Sequence, residues 1–359
     1  MSGGVDSSVT AALLKEEGHQ VVGVTLRLHG VGAASASAAP PGGRTCCGGS
    51  DIGDAKRVAD HLGIPHHVLD FTSVFQSEVI DPFADAYVRG ETPVPCVACN
   101  QTVKFRDLLA VTRRLGADAL ATGHYVRRED GCAGPELHRA VDHGRDQSYF
   151  LFATTREQLH HLRFPLGGMS KTETRRLADR LGLPVATKPD SQDICFVPEG
   201  DYGQLVRRLR PESQAVGEIV HVDGRVLGAH AGVAHYTVGQ RRGLGIGGEA
   251  EPLYVVRLEA DTRRVIVGPR SAAARECLWV NVVNWLGDGE GVPIEGLRVQ
   301  VRLRSLHSPV AAEVFGRSDG VALVRLEAPF VGVAPGQACV FYQGERVLGG
   351  GWIRREECP

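Results

Sequence analysis

Two groups of residues in this chain have types and spacings that could do chemistry. The first is Ser2-Gly3-Gly4-Val5-Asp6-Ser7-Ser8, which leads straight into a helical pattern. Paired glycines let the backbone come close to a ligand and take positive φ. Successive N–H groups ahead of a helix N-terminus form an anion cradle, and the serine hydroxyls add donors. No Gly-Lys-Ser/Thr follows, so this is not a Walker loop but a different pyrophosphate-binding one. Asp6 cannot attract phosphates by charge; it is expected to hold the loop or to help position Mg²⁺. The second group is sulfur: Cys96-Val97-Ala98-Cys99 and, far along the chain, Cys195 in Asp190-Ser191-Gln192-Asp193-Ile194-Cys195-Phe196. A C-x-x-C pair in a reducing compartment suggests metal or redox work, although two buried small residues explain the pair alone equally well.

The elements that must position these groups alternate along the first half of the chain. Val9 to Glu17 reads as a helix with Val9, Ala12 and Leu13 on one face, and Val21 to Leu28 as a buried strand. Asp54 to Leu62 is helical and stops at Gly63, His67 to Phe71 is a strand, and Val103 to Leu115 is helical up to Gly116. Ala119 to Gly123 is a strand running into His124-Tyr125, and residues 171 to 182 form a further helix before Pro184. This alternation predicts an α/β fold, an open parallel sheet with helices on both faces and ligands at the carboxyl ends of its strands. In such folds a strand precedes the phosphate loop, whereas here the loop stands at the first residue. Either the natural start lies upstream and supplies that strand, which is the expectation, or the sheet lacks it. Residues 30 to 50, rich in Gly, Ala, Ser and Pro, read as a loop ending in Cys46-Cys47, to which no role is assigned.

After about residue 200 the pattern becomes β-rich. Val220 to Leu227 surrounds Asp223-Gly224, Ala312 to Leu326 surrounds Asp319-Gly320, and Leu253 to Val267 reads as another hairpin. The expected organisation is a loop-bearing domain over 1–198, a small central domain over 199–270 and a C-terminal β-barrel over 271–359. The 359 residues are 43% hydrophobic and 23% charged with a formal net charge of −2, an ordinary globular balance that neither announces nor excludes a nucleic-acid partner. Local arginine clusters such as Arg113-Arg114 and Arg241-Arg242 supply basic surface. No leader pattern and no run of about 18 apolar residues is read, so a cytoplasmic monomer with reduced cysteines and no membrane association is expected.

The loop resembles that of the PP-loop ATP pyrophosphatases, which split ATP between the α and β phosphates and place AMP on a carbonyl-type oxygen. Further runs occur in order: Cys99 to Phe105 (C-N-x-x-V-K-F), Ala121-Thr122-Gly123-His124-Tyr125, Asp146-Gln147-Ser148-Tyr149-Phe150-Leu151, the Cys195 segment, Tyr236-Thr237-Val238-Gly239-Gln240-Arg241 and Pro335-Gly336-Gln337. Together, over essentially the whole chain, they resemble the tRNA-specific 2-thiouridylase (MnmA) family. That resemblance implies ATP-dependent replacement of oxygen by sulfur at C2 of the wobble uridine, U34, of tRNA. It implies that the C2 oxygen is adenylated, that Cys195 carries a persulfide delivered by a cysteine desulfurase or a sulfur-relay protein, and that Cys99 releases the sulfur by forming a disulfide with Cys195. ATP, with Mg²⁺, would be held by Met1, Ser2, Gly3, Gly4, Val5, Asp6, Ser7, Leu26 and Gly123. Contacts to tRNA are implied for His124, for Arg145, Asp146 and Gln147, for Arg302 and Leu303, and for Gln337. The family's base-contacting Asn-Pro-Asp is here Val94-Pro95-Cys96, which replaces two polar groups and puts those contacts in question. The same change opens another route to the same product: Cys96, Cys99 and Cys195 as three thiolate ligands of a 4Fe–4S cluster with one open iron. No metal ligand is assigned between these alternatives. A PP-loop synthetase acting on a small molecule, and an inactive tRNA-binding protein, are the readings of other classes.

Overall fold

The structure, a computed structural model, describes residues 1–28, 49–190, 194–197, 200–248, 251–317, 320–356 and 358. Cys46, Cys47, the segment 191–193 and Asp319 lie outside them. The chain forms two compact units. One comprises Met1–Val79, Cys96–Gly200 and Glu345–Val347; the other comprises Ile80–Pro95, Asp201–Gly344 and Leu348–Pro359.

In the first unit the phosphate loop runs into helix α1, Val5–Glu16. Val5, Val9 and Ala12 recur at helical spacing and pack with Val58 of α2 (Gly49–Leu62) and with Leu177 and Ala178 of the Lys171–Arg180 helix. That last helix opens on a capping box: Ser170 Oγ accepts from the Glu173 N–H (3.2 Å) while the Ser170 N–H donates to Glu173 Oε2 (2.7 Å). The strands of this unit are β1 (Gly23–Arg27), β2 (His66–Asp70), β3 (Leu120–Ala121), β4 (Val126–Gly131), β5 (Gly134–Arg139) and β6 (Leu162–Arg163). β1 pairs with β2 and β3 with β6, both parallel. These strands thus pair in parallel, as the α/β reading expects, in two pairs. Met1 lies beside β1: its N-terminus donates to the Val24 carbonyl, and Thr25 Oγ1 donates to the Met1 carbonyl at 2.7 Å.

Two local features depart from the sequence reading. β4 and β5 form an antiparallel hairpin, to which Arg346 and Val347 add. Its strands carry too many charges, Arg127 to Asp130 among them, to read as apolar runs. The helix expected over 103–115 begins earlier and is wound wider: a short helix Pro95–Cys99, a π-helix Asn100–Leu108, then an α-helix Leu109–Arg114. Thr102 Oγ1 donates to the Ala98 carbonyl at 2.8 Å, a side-chain bond that competes with the backbone ladder where the winding changes.

In the second unit β7 (Gly217–His221), β8 (Val226–His230), β9 (Tyr254–Glu259) and β10 (Arg264–Gly268) form a sheet in the order β8-β7-β10-β9, with β7 and β10 parallel. β11 (Ala274–Trp285), β12 (Leu297–Arg302), β13 (Val310–Gly316), β14 (Ala322–Val331), β15 (Ala338–Gln343) and β16 (Arg346–Ile353) follow. They run in the order β11-β14-β13-β12-β15-β16, and β11–β16 pairing closes the barrel over a core that includes Val280, Val301, Val314, Val324 and Phe341. The segment 80–95 is built into this unit. Phe83 and Tyr87 pack with Tyr202, Arg210 Nε donates to Asp85 Oδ1 (2.7 Å), and the Thr92 N–H donates to the Pro335 carbonyl (2.8 Å). Among the described residues no helix is long and apolar enough to cross a membrane.

Candidate active site

The loop folds back on the first turn of α1. The Ser2 N–H donates to Ser7 Oγ (3.0 Å), and Ser7 Oγ and Ser8 Oγ donate to the Gly4 carbonyl (3.3 and 2.8 Å). Gly4 is the N-cap, and no side chain caps the helix. The first-turn N–H groups are therefore not satisfied by a capping side chain, which is the arrangement that binds anions. The glycines are not equivalent. Gly3 has φ +69°, and a Cβ there would meet the Asp51 carbonyl oxygen at 2.2 Å, so the start of α2 presses directly on the loop. A Cβ on Gly123 would lie 2.8 Å from the Asp6 carbonyl carbon and 2.9 Å from the Ser7 nitrogen. Gly4 is crowded by nothing nearer than Ser2 Oγ, 3.5 Å from its would-be Cβ.

Two lysines that the sequence reading did not single out organise the charge around this loop. Lys171 Nζ donates to both oxygens of Asp6 (2.7 and 2.9 Å) and pairs with Asp190 (2.8 Å). Tyr125 Oη stands 3.0 Å from Asp6 Oδ1, and burial pushes its phenol well up. Asp6 thus holds the loop to the Lys171–Arg180 helix. Asp190 also pairs with Arg175 (2.8 Å) and with Arg145 (3.1 Å). Burial alone would raise the Asp190 carboxyl; Lys171, Arg175 and Arg145 overcome it and hold it below the usual carboxylate range. Lys188 Nζ donates to the Gly3 carbonyl (2.9 Å), Asp51 Oδ1 (2.5 Å) and Asp54 Oδ2 (2.5 Å). Burial opposes its charge, and the hydrogen bonds to Asp51 and Asp54 win, raising it. The Ser170-x-x-Glu173 signature fixed the register that puts Lys171 first on its helix, so this lysine was within reach of sequence reasoning; Lys188 lies outside any regular element and was not.

The expected site residues separate by unit. The loop, Leu26, Cys96, Cys99, Gly123, His124, Arg145, Asp146, Gln147 and Cys195 belong to the first; Val94, Pro95, Arg302, Leu303 and Gln337 belong to the second. Leu26 is buried on β1. Asp146 accepts from the N–H groups of Ala140 and Ser148 (3.2 Å each) and from Ser148 Oγ (2.8 Å). Gln147 Oε1 accepts from the Tyr125 N–H (2.9 Å). Both side chains thus brace the chain's own backbone, and Arg145 is the exposed member of that triplet. Arg302 and Leu303 are buried, Arg302 Nε donating to the His307 carbonyl (2.9 Å), and Gln337 Nε2 donates to the Thr92 carbonyl (2.9 Å).

Cys96 is exposed, Cys99 buried and Cys195 half-buried. Among the described residues no three His, Cys, Asp or Glu side chains converge to hold a metal ion, so the three cysteines as placed do not fit a cluster. Burial pushes the Cys99 thiol up, against the pull of the Lys104 charge. His124 is held neutral by burial, reinforced by Lys104; its ring packs edge-on to Phe105 and Phe164, and Nδ1 is 2.8 Å from Thr122 Oγ1.

Three family models match successive stretches of the chain. The tRNA methyl transferase HUP domain family matches residues 1–199, the tRNA methyl transferase PRC-barrel domain 205–269, and the aminomethyltransferase beta-barrel domain 275–353. A tRNA-specific 2-thiouridylase MnmA of Rhodospirillum centenum is 62% identical over 366 aligned positions, covering 99% of this chain and 91% of the relative. That of Rhodospirillum rubrum is 62% identical, covering 98% and 94%, and that of Parvibaculum lavamentivorans 58% identical, covering 99% and 90%. A nucleotide-type loop braced by paired lysines, a sulfur-bearing helix in the same unit and near full-length identity converge on one conclusion: the chain belongs to the tRNA-specific 2-thiouridylase (MnmA) family.

Proposed function

We propose that this chain is an ATP-dependent tRNA sulfurtransferase that forms 2-thiouridine at U34. The reading rests most on one observation. Lys188 stands seven residues before Cys195, and its ammonium is hydrogen-bonded to the Gly3 carbonyl of the phosphate loop. This supports a reading in which the segment leading to the sulfur carrier starts beside the loop that would carry the nucleotide.

Uridine C2 bears a poor leaving oxygen. The N–H groups after Gly4, with Ser2 and Ser7, would bind the phosphates, and Leu26 would pack the adenine. Gly123 keeps the loop close to β3, and Asp6 holds it through Lys171 rather than meeting phosphate directly. Mg²⁺ would arrive on the phosphates with its own waters, as it commonly does. Attack of the C2 oxygen on the α-phosphate gives the adenylate and pyrophosphate. Cys195, charged as a persulfide by a cysteine desulfurase or relay protein, then supplies sulfur, and Cys99 takes up the Cys195 sulfur as a disulfide. Arg145, exposed and shared with Asp190, suits a phosphate of the tRNA backbone. His124, Gln337, Arg302 and Leu303, and Val94-Pro95-Cys96, are the further positions proposed to lie along the tRNA.

The test is incubation with unmodified tRNA, ATP, Mg²⁺, cysteine and a cysteine desulfurase, followed by nucleoside analysis. 2-Thiouridine that depends on ATP and disappears in Cys195→Ser, with nucleotide binding retained, is the expected result. Undiminished product from Cys195→Ser would remove the assigned sulfur carrier. ATP-dependent turnover of a small molecule with no tRNA product would favour the synthetase reading.

A further inference from the structure

The proposed chemistry asks Cys99 to act as a thiolate, yet Cys99 is only 8% exposed, and burial works against a negative charge there. We propose that Lys104, turned toward the Cys99 face by the π-helix, is the counter-charge that favours the Cys99 thiolate as it forms for sulfur release. Nothing in the sequence reading gave Lys104 a role beyond its place in a motif.

Three observations carry this. The first is helical register. In an α-helix of ~3.6 residues per turn, a residue five along is rotated roughly 140° away. In a π-helix the i→i+5 hydrogen bond widens the turn, so the residue five along comes back much closer to the face of the first than in an α-helix. The π-helix Asn100–Leu108 has Cys99 as its N-cap, so the wider winding turns position 104 toward the face of position 99. Such winding is rare and concentrates at functional sites.

The second is the state of the lysines. Lys15 donates to the Leu62 carbonyl, Lys56 pairs with Asp60, and Lys171 and Lys188 each pair with two aspartates. Lys104 alone of the five has no carboxylate or hydrogen-bond partner among the described residues. A half-buried cation that meets no carboxylate among the described residues is placed to meet a negative charge that forms during turnover. The Cys99 thiol and the His124 ring are the groups that feel it; His124 is held neutral and brings no competing charge.

The third is Asn100, beside Cys99 and 4% exposed. Its Nδ2 donates to the Phe150 carbonyl (3.1 Å), while its Oδ1 is buried without a partner among the described residues. An orphaned buried acceptor is expensive and rare. The position four along in a π-turn lies on nearly the same face, so this oxygen is where an ammonium swinging toward Cys99 finds its second hydrogen bond.

The step, which rests on the persulfide reading, balances as follows. The Cys99 thiolate attacks Cys195 Sγ, the Sγ–Sγ bond between the two cysteines forms, and the persulfide S–S bond breaks. The outer sulfur leaves with the electron pair as hydrosulfide. Hydrosulfide adds to the adenylated C2, and AMP departs carrying the former C2 oxygen. A low-molecular-weight thiol then reduces the disulfide.

The experiment uses the full chain with Cys96→Ser and Cys195→Ser, leaving Cys99 as the thiol followed, and reads its alkylation rate against pH by peptide mass spectrometry. Lys104→Met should move the midpoint up by at least about one pH unit, a tenfold loss of thiolate below the midpoint. Lys104→Arg should restore it. In the otherwise unaltered enzyme, Lys104→Met should lower 2-thiouridine formation near neutral pH about tenfold, recover at higher pH, and leave the KM for ATP unchanged. An unmoved midpoint in Lys104→Met, or an Arg variant no better than Met, overturns the proposal. Failure of the persulfide reading would show separately, as product from Cys195→Ser, while the alkylation midpoint still decides the Lys104–Cys99 link.

Discussion

Gly123→Ala and Gly4→Ala separate a glycine that the fold needs from one that the ligand needs. A Cβ on Gly123 would lie 2.8 Å from the Asp6 carbonyl carbon and 2.9 Å from the Ser7 nitrogen, both backbone atoms that cannot rotate aside. Ordinary contact begins near 3.4 Å, so the loop must recede by about 0.6 Å. Overpacking of this kind costs about 1–3 kcal/mol. A misplacement of roughly 1 Å can cost about 10²-fold in rate, so a shift of about half that should lower ATP-dependent thiolation on the order of tenfold. Among the described residues Gly4→Ala meets only Ser2 Oγ, at 3.5 Å, and it sits at φ −97°, which any residue adopts. Its poorer N-cap and its stiffer unfolded chain roughly cancel, leaving stability within about 0.5 kcal/mol of the parent. A rise in the KM for ATP in Gly4→Ala would then report close approach of phosphate to that backbone. The assays are thermal unfolding, ATP–pyrophosphate exchange and 2-thiouridine yield. Parental melting and turnover in Gly123→Ala would refute the clash, and an unchanged ATP KM in Gly4→Ala would refute the approach.

Lys188→Met leaves Asp51 and Asp54 facing each other without their cation; a loss of about 3–5 kcal/mol is expected in urea unfolding, partly recovered by adding Asp51→Asn and Asp54→Asn. Full stability in the single variant would show that the clamp contributes nothing. The Asp190 carboxyl is depressed in the folded chain, so it stabilises above its ordinary value of 3.8 and that contribution is lost as pH falls through the lower folded value. Asp190→Asn should therefore be less stable than the parent at pH 7, with the gap closing below pH 3.8; a gap independent of pH would contradict the charge network. Cys96→Ser should keep 2-thiouridine formation within about threefold, because a relay between two thiols needs only Cys99 and Cys195. Loss of activity together with iron in the parent protein would point to the cluster instead.

Much of the fold was legible because its signals are local. The Val9–Ala12–Leu13 face, the stops at Gly63 and Gly116 and the Asp223-Gly224 turn each act over a few residues. The loop was legible for the same reason. The π-helix was not, because its winding depends on side-chain bonds such as Thr102 to Ala98 that no periodicity encodes. The lysine clamps escaped as well. Lys188 meets Asp51 and Asp54 across more than 130 residues, and neither partner carries a motif. Nor could the sequence say that Asp146 and Gln147 spend their polar atoms on neighbouring backbone, since a motif residue looks the same whether it faces inward or out.

The interleaving of the two units sets an order on synthesis. Residues 80–95 leave the ribosome early, but Phe83 and Tyr87 find Tyr202 only after more than a hundred further residues, and Thr92 waits 245 residues for Gln337. At roughly 5–20 residues per second, the aromatic segment has no home for on the order of 6–24 s and Thr92 waits on the order of 12–49 s. On each side of it, the sequence belongs to a unit that can begin to pack meanwhile. A nascent chain of this kind carries an exposed loop of its own making, a natural target for chaperones, and no single cut would release either unit whole.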